Sequence, residues 1–374
     1  MPHKDRLVKP FEHPQALGSF RSWLKLLREN GDVDPRFLPR ILVVTLFSLM
    51  TSPLRVYERL RYDAVLNRTP VHPSPIFIIG HWRTGTTHLQ NLICQDKNFN
   101  FVSTFQAMTP GFCLVGNGPL EHTLGWITSL LYQTRLIDNI PLLMDTPQEE
   151  EYGIANLCPY SFLHMFSFPR QAEKFFNRYV LFKDLPENEL IEWEQIYLKL
   201  LRKTSLMTNG LRPVLKNPAH SGRLSAVIRL FPEAKFIHLY RNPYHVYLST
   251  RRLYQVVLPR SQVQQIEWDK LEAFLFRFYT QLMHKFLADK ALIPPQNLVE
   301  IKFEELEENP LEQIGRIYQS LGIAGFDQAQ TSIQSYLDSI AGYQKNEYIL
   351  NRDIIDKVNR HWAFAFEEWG YERL

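Results

Sequence analysis

The chain has 374 residues, 45% of them hydrophobic, and a formal net charge of +3, so it can build a sizeable core and is too nearly neutral for nucleic acid to be an expected partner. Its three cysteines, Cys94, Cys113 and Cys158, are odd in number and form no CxxC, which indicates neither a disulfide framework nor a zinc site. No metal is expected. The opening MPHKDRLVKPFEHP lacks the apolar core of a secretory signal, and a reducing, cytoplasmic setting is expected.

Residues 1–70 read as a helical extension. Within it, ILVVTLFSLM at 41–50 is interrupted at Pro53 and continued by the basic, amphipathic LRVYERLRYD. Ten residues do not span a bilayer, which leaves two readings. One is a helix packed on the core or in a homo-oligomer interface. The other is an interfacial helix that brings residues 41–62 to the inner face of a membrane, with Arg55, Arg59 and Arg61 near its end.

The stretch PIFIIGHWRTGTTHLQNLICQD at 75–96 reads as strand, turn and helix. Gly80 and Gly85 keep the spacing of a phosphate loop, but Thr86 stands where its lysine belongs and the cation has moved to Arg83. A helix starting near Thr84 points its unpaired N–H groups at the turn, so the loop can still cradle a phosphate. What is missing is the machinery for a triphosphate with its metal. No strand ends in a Walker-B aspartate either, which disfavours a P-loop kinase. His81 either touches substrate or caps the loop.

Residues 99–210 are aromatic and helical, with Trp126, Tyr132, Phe162, Phe166, Phe175, Phe176 and Trp193. Such an insertion between core strands forms an acceptor pocket and lid. It contains Asp138-Asn139 and the run PQEEE at 147–151. Pro147 is a good first-turn residue, so Glu149, Glu150 and Glu151 sit at a helix start, where the plainest role is to complement the helix dipole. At helical spacing Glu150 shares the apolar face of Ile154 and Leu157, and a carboxylate directed inward must be paired or functional. Glu149 falls beside Gly153 and Asn156, and Glu151 beside Ala155 and Cys158.

The sheet resumes at 213–216 within LKNPAH at 215–220. His220, four residues after Lys216 at the start of the next helix, would face the crevice at the sheet's carboxyl edge together with that lysine. It titrates near neutrality and suits a base, although local hydrogen bonding is the plainer reading. In AKFIHLYRNPYHVYLST a buried strand at 234–239, with a structural His238, ends at Arg241-Asn242-Pro243. The following helix carries Ser249 two turns on. An arginine at that strand end faces the ligand crevice of an open α/β sheet, and its fork can hold a phosphate bidentately. A further strand at 298–301 follows Pro294-Pro295. Helices alternate with strands, giving an α/β fold with a central, mainly parallel sheet flanked by helices.

Arg83 ahead of the G-T-T turn, the second anion candidate at Arg241, LVEIKFEELEENPLEQIGRIYQSLGI, and the closing Glu368-Trp369-Gly370-Tyr371 together resemble the sulfotransferases that use 3′-phosphoadenosine-5′-phosphosulfate (PAPS). GHWRTGTT, Asp138-Asn139, PQEEE and LKNPAH resemble most closely a bacterial-type branch that includes enzymes acting on lipid-like hydroxylated acceptors such as lipoquinones. The resemblance covers most of the chain. It implies a P-loop NTPase-like sulfotransferase fold with helical insertions, a single domain over 1–374. Residues 1–70 would be its extension, 71–98 its phosphosulfate-loop unit, 99–210 its acceptor-pocket insertion and 211–374 the rest of the core.

The resemblance also assigns roles. PAPS is the implied donor, with no metal required, held by His81, Arg83, Thr84, Gly85, Thr86 and Thr87 at the 5′ end and by Arg241 and Ser249 at the 3′-phosphate. In-line displacement to the hydroxyl of a hydrophobic or lipid-like small-molecule acceptor gathers charge on the leaving oxygen, and Arg83 with the Gly85 to Thr87 backbone and hydroxyls suits that charge. The acceptor needs a base: Glu150 first, Glu149 close behind, His220 the rival. Lys216 would steer the sulfate or a ribose phosphate. One departure stands out. The late G-x-x-G-x-x-K of eukaryotic soluble members is absent, and Tyr343-Gln344-Lys345-Asn346 is the candidate replacement, with Lys345 as its cation. The alternatives are a P-loop-type kinase and a catalytically degenerate nucleotide- or lipid-binding relative.

Overall fold

Five strands form the sheet: β1 Ile76–Gly80, β2 Phe99–Asn100, β3 Arg212–Lys216, β4 Lys235–Tyr240 and β5 Leu298–Lys302, in the order β2-β3-β1-β4-β5. The computed structural model describes residues 13, 15–131, 143–342 and 348–374, the side chains of 126–131 excepted. All four pairings are parallel, and Phe77 of β1 lies opposite Leu215 on one side and Phe236 on the other. The four longer strands match the sequence reading. β2 was not anticipated, because two residues carry no periodicity.

β1 is buried along its whole length because both faces of the sheet are covered. Ile76 and Ile78 pack with Leu89, Ile93, Ile314 and Ile317 on one face, whereas Phe77 and Ile79 join Phe231, Phe236 and Tyr197 on the other. The chain passes from β1 to β2 and β3 on one side and returns to β4 and β5 on the other. The strand order therefore reverses between β1 and β4, and ligands of open α/β sheets bind at the carboxyl ends of such a pair.

The long insertion between β2 and β3 is helical, as expected, and ends in the 21-residue helix Glu187–Met207. Phe175, Phe176 and Trp193 sit in its core, where they pack in one cluster with Trp23 and Val44 of the N-terminal helices. Near the N-terminus the helices Leu38–Met50 and Ser52–Leu66 follow each other almost without interruption. Pro53 starts the second helix, where a proline loses no helical hydrogen bond. The ten-residue apolar run is thus part of a helical stretch, Pro35–Leu66, that is long and apolar enough to cross a membrane by length and composition. Core packing holds for one face only: Arg40, Val44 and Ser48 are buried, while Leu38, Leu42, Leu46 and Leu49 are exposed. Tyr132, Asp138-Asn139, the segment around Lys345 and the side chain of Trp126 lie outside the described residues.

Candidate active site

The turn after β1 is shaped by three residues with positive φ. Gly80 (φ 143°) leaves the strand where a Cβ would come within 2.3 Å of the Leu239 carbonyl oxygen. Gly85 (φ 97°) caps the helix Thr86–Ile93, and a Cβ there would overlap the Phe303 ring at 2.1 Å. Between them Arg83 adopts φ 73°, uncommon for a residue with a side chain. The turn is pinned from below: the Gly80 N–H donates to Ser221 Oγ at 2.9 Å, and Thr84 Oγ1 donates to the His81 carbonyl at 2.8 Å. His81 donates from Nδ1 to the Trp82 carbonyl. Burial pushes its imidazole down to about 4, only partly opposed by that bond, so His81 brings no cation to the loop at neutral pH.

Arg83, Ser249 and Arg241 converge. Arg83 Nε donates to Ser249 Oγ at 2.8 Å, and Arg241 Nη1 donates to the Arg83 carbonyl at 3.4 Å. Arg241 lies over the Phe303 ring, 4.3 Å from its centroid, and burial lowers its pKa, while Glu304 and Glu307 oppose that shift. Its Nε is buried without a hydrogen-bond partner. A buried guanidinium nitrogen left unpaired beside a second arginine and a hydroxyl is a defect in a closed protein and a fitting donor set for a phosphate. Sequence reasoning missed Tyr348, whose hydroxyl donates to Ser249 Oγ at 3.2 Å; only its closeness to residues 343–346 could have hinted at it.

The three consecutive glutamates point three ways, because each step along the helix Glu150–Leu157 turns the side chain by roughly 100°. Glu151 is enclosed: Arg223 grips it bidentately at 2.7 and 3.0 Å, and Asn217 and Ser161 donate to it as well. Burial alone would raise its pKa, but the Arg223 guanidinium and these donors outweigh it and hold the carboxyl at about 2. Glu150 points inward, as its helical face predicts, and is paired there. It accepts from the Lys216 N–H at 3.1 Å and the Tyr197 hydroxyl at 3.2 Å, with His220 Nε2 also at 3.2 Å. His220 is itself fully buried, its ring against Phe77. Neither Glu150 nor His220 lines the cleft, so of the pair expected to face the crevice at the sheet's carboxyl edge Lys216 does and His220 does not. Inward on this helix means into the protein.

Glu149 does line it. Residue 149 is the N-cap, and its carboxylate reaches the cleft beside Lys216, whose Nζ donates to Oε2 at 3.0 Å. Oε1 is buried and has no hydrogen-bond partner. The segment before it is fixed by the Gln148 N–H bonding the Val102 carbonyl and by a bridge from Ser103 to Pro147.

The cleft measures about 840 Å³ counted out to its mouth. Its polar end holds His81, Arg83, Thr86, Thr87, Glu149 and Lys216. Its other end is apolar, with Trp82, Phe162, Phe166, Tyr254, Val257 and Phe278. The insertion supplies only part of this wall. Trp82 of the turn adds to it, as do residues from Thr250 to Val257 and from Leu275 to Phe278 on the helices Pro243–Ser261 and Trp268–Asp289, and nothing in the sequence of those two helices set them apart from ordinary core. The arrangement can hold an anion at the turn, present a hydroxyl from the apolar side, and take its proton.

Residues 75–328 match the profile of the sulfotransferase family. The omega-hydroxy-beta-dihydromenaquinone-9 sulfotransferases Stf3 of Mycobacterium tuberculosis and Mycobacterium bovis are each 28% identical to the chain over 357 residues, covering 95% of it and 90% of their own length. Among solved structures, sulfotransferase STF9 of Mycobacterium avium has a TM-score of 0.70 at 16% identity and covers 99% of both chains. Sulfotransferase STF1 of Mycobacterium tuberculosis has 0.67 at 17% identity, covering 92% of both. The two structures share the fold, and the kinase and degenerate-binder readings give way. With its profile matched over more than half of its length, the chain belongs to the sulfotransferase family and is an enzyme that transfers a sulfuryl group.

Proposed function

We propose that the sulfuryl donor is PAPS and that the acceptor is a hydroxylated lipid of the lipoquinone class, met at a membrane surface on the cytoplasmic side. The observation that carries this reading is the cleft itself, in which the cationic Arg83 and Lys216 share one lining with the aromatic and aliphatic Trp82, Phe162, Phe166, Tyr254, Val257 and Phe278. The named relatives act, by name, on a hydroxylated dihydromenaquinone, which supports the same class.

Bound PAPS supplies an activated SO₃ group on its 5′-phosphate. The turn N–H groups, Thr86, Thr87 and Arg83 would hold the 5′ end, and Arg241 with Ser249 the 3′-phosphate, satisfying the unpaired Arg241 Nε. Arg83 and Lys216 supply positive charge in the cleft. Lys216 occupies Glu149 Oε2, which leaves Oε1 to receive the proton of the acceptor hydroxyl. Trp82 and Phe162, with ring centroids 5.0 Å apart, line the same cleft and would keep water from the reacting atoms once a ligand is bound.

The test is transfer of label from ³⁵S-PAPS to a hydroxylated prenylquinone, compared with a short water-soluble alcohol. Labelled lipid product with little labelled alcohol is expected. Transfer to the short alcohol alone would overturn the acceptor class, and no label transfer with PAPS would overturn the donor.

A further inference from the structure

We infer that the exposed face of the helices Leu38–Met50 and Ser52–Leu66 is a docking surface for an anionic lipid bilayer. Leu38, Leu42, Leu46 and Leu49 are each roughly half exposed, and the same stripe continues through exposed Pro53 to Val56, Leu60 (81% exposed) and Ala64. Their spacing of three or four residues keeps them on one side of both helices. More than half of the large apolar side chains exposed among the described residues lie between 38 and 65.

The opposite face is committed to the protein. Arg40 donates to the carbonyls of Pro259 and Gln262, Trp23 Nε1 donates to Thr45 Oγ1, and buried Glu58 pairs with Lys203. A helix held along one side cannot be surrounded by lipid, so it lies in the interface and does not span the bilayer.

Charge selects the occupant. The stretch 35–68 contains two carboxylates, and a lysine neutralises each: Lys203 at Glu58 and Lys199 at Asp63. Around the stripe stand the exposed Arg36, Arg59, Arg61 and Arg68. Such a rim complements anionic headgroups. Isologous pairing with a second copy would set arginines against arginines, with no unpaired carboxylate on the segment to receive them. The helix that carries the surface is tied to the element that lines the cleft: Val257 is in the lining, and Pro259, two residues on, is the residue whose carbonyl Arg40 holds. Delivery of a lipid-like acceptor to the cleft rests on the function proposed above; the docking itself does not.

The full-length protein is sedimented with phosphatidylcholine vesicles, with and without phosphatidylglycerol, alongside L42E/L46E/L60E and R59E/R61E. The wild-type protein is expected to pellet with the anionic vesicles, and each variant to lose about tenfold or more of that affinity. Unchanged thermal stabilisation by adenosine 3′,5′-bisphosphate checks that the variants fold. Wild-type protein that stays in the supernatant with both vesicle types overturns the inference, as does a dimer in analytical ultracentrifugation that L42E/L46E/L60E dissociates. Vesicle binding without turnover of any lipid acceptor would sustain the docking surface and sink the acceptor reading instead.

Discussion

The two halves of the cleft are held together by different physics. On the donor side a short stretch of chain, from β1 into the helix Thr86–Ile93, bends through three positive φ values and presents N–H groups, hydroxyls and Arg83, and the end of β4 adds Arg241 with its unpaired buried nitrogen. Behind the acceptor side, where only Glu149 and Lys216 reach the cleft, the carboxylates and cations are almost fully enclosed and answer one another: Glu151 with Arg223, Glu150 with Tyr197 and His220, Glu149 with Lys216. The donor side is a surface left incomplete for a ligand. The acceptor side is a paired network in which Glu149 Oε1 is the carboxylate oxygen left over, alongside the unpaired ring and guanidinium nitrogens His220 Nδ1 and Arg223 Nε. Substitutions on the two sides should therefore fail in different currencies, turnover on the first and stability on the second, and Glu149 is where the two meet.

The largest effect should come from Arg223→Met, which leaves Glu151 as an uncompensated buried charge. A loss of about 3–5 kcal/mol of folding stability is expected, read from urea unfolding. Retained stability would show that the acceptor-side network is not structural. Arg83→Ala should do the converse. Turnover should fall by about 10²–10³, the range for removing one transition-state donor, with the thermal shift from adenosine 3′,5′-bisphosphate largely kept. Unchanged turnover would remove Arg83 from the chemistry.

A separate test uses pH and acts on three buried histidines at once. Burial holds His13, His81 and His164 at about 3, about 4 and about 4, against an ordinary 6.5. Below 6.5 the unfolded chain takes up protons at these positions while the native chain does not until near 4, so stability falls as the pH falls through that window. The slope approaches about 1.4 kcal/mol per pH unit for each histidine. Glu151, held at about 2, adds its own loss only below 4.5. Melting temperatures between pH 6.5 and 4.5 should therefore decline steadily, and a flat profile would contradict the burial of these three rings.

How much of this was legible in the sequence follows the same division. β1, the lysine-less loop and the arginine ending β4 were readable because a ligand-binding turn is made of neighbours, and the glycines that shape it leave a local signature. On the acceptor side the inward helical face of Glu150 was readable, but the partners it meets there were not. What closes over Glu150 is Tyr197, 47 residues on, and the turn of His220 after β3, and no local spacing reports such neighbours. Arg223 left no mark beyond a third glutamate in a row. The wall from Leu253 to Phe278 looked like ordinary core because, residue by residue, it is the same material. The exposed stripe at 38–64 shows the reverse failure: an apolar run resembles core in sequence, and only the structure shows that one side of it is left exposed among the described residues.

As proposed above, Glu149, and not the enclosed Glu150, receives the acceptor proton. This assignment is tested most directly by single-turnover rates of Glu149→Gln and Glu150→Gln with PAPS and a hydroxylated prenylquinone, both at saturation. The account predicts a fall of about 10²–10⁴ for Glu149→Gln with little change in melting temperature. For Glu150→Gln it predicts a lowered melting temperature and a far smaller change in rate. A rate that collapses in Glu150→Gln and survives in Glu149→Gln would contradict it.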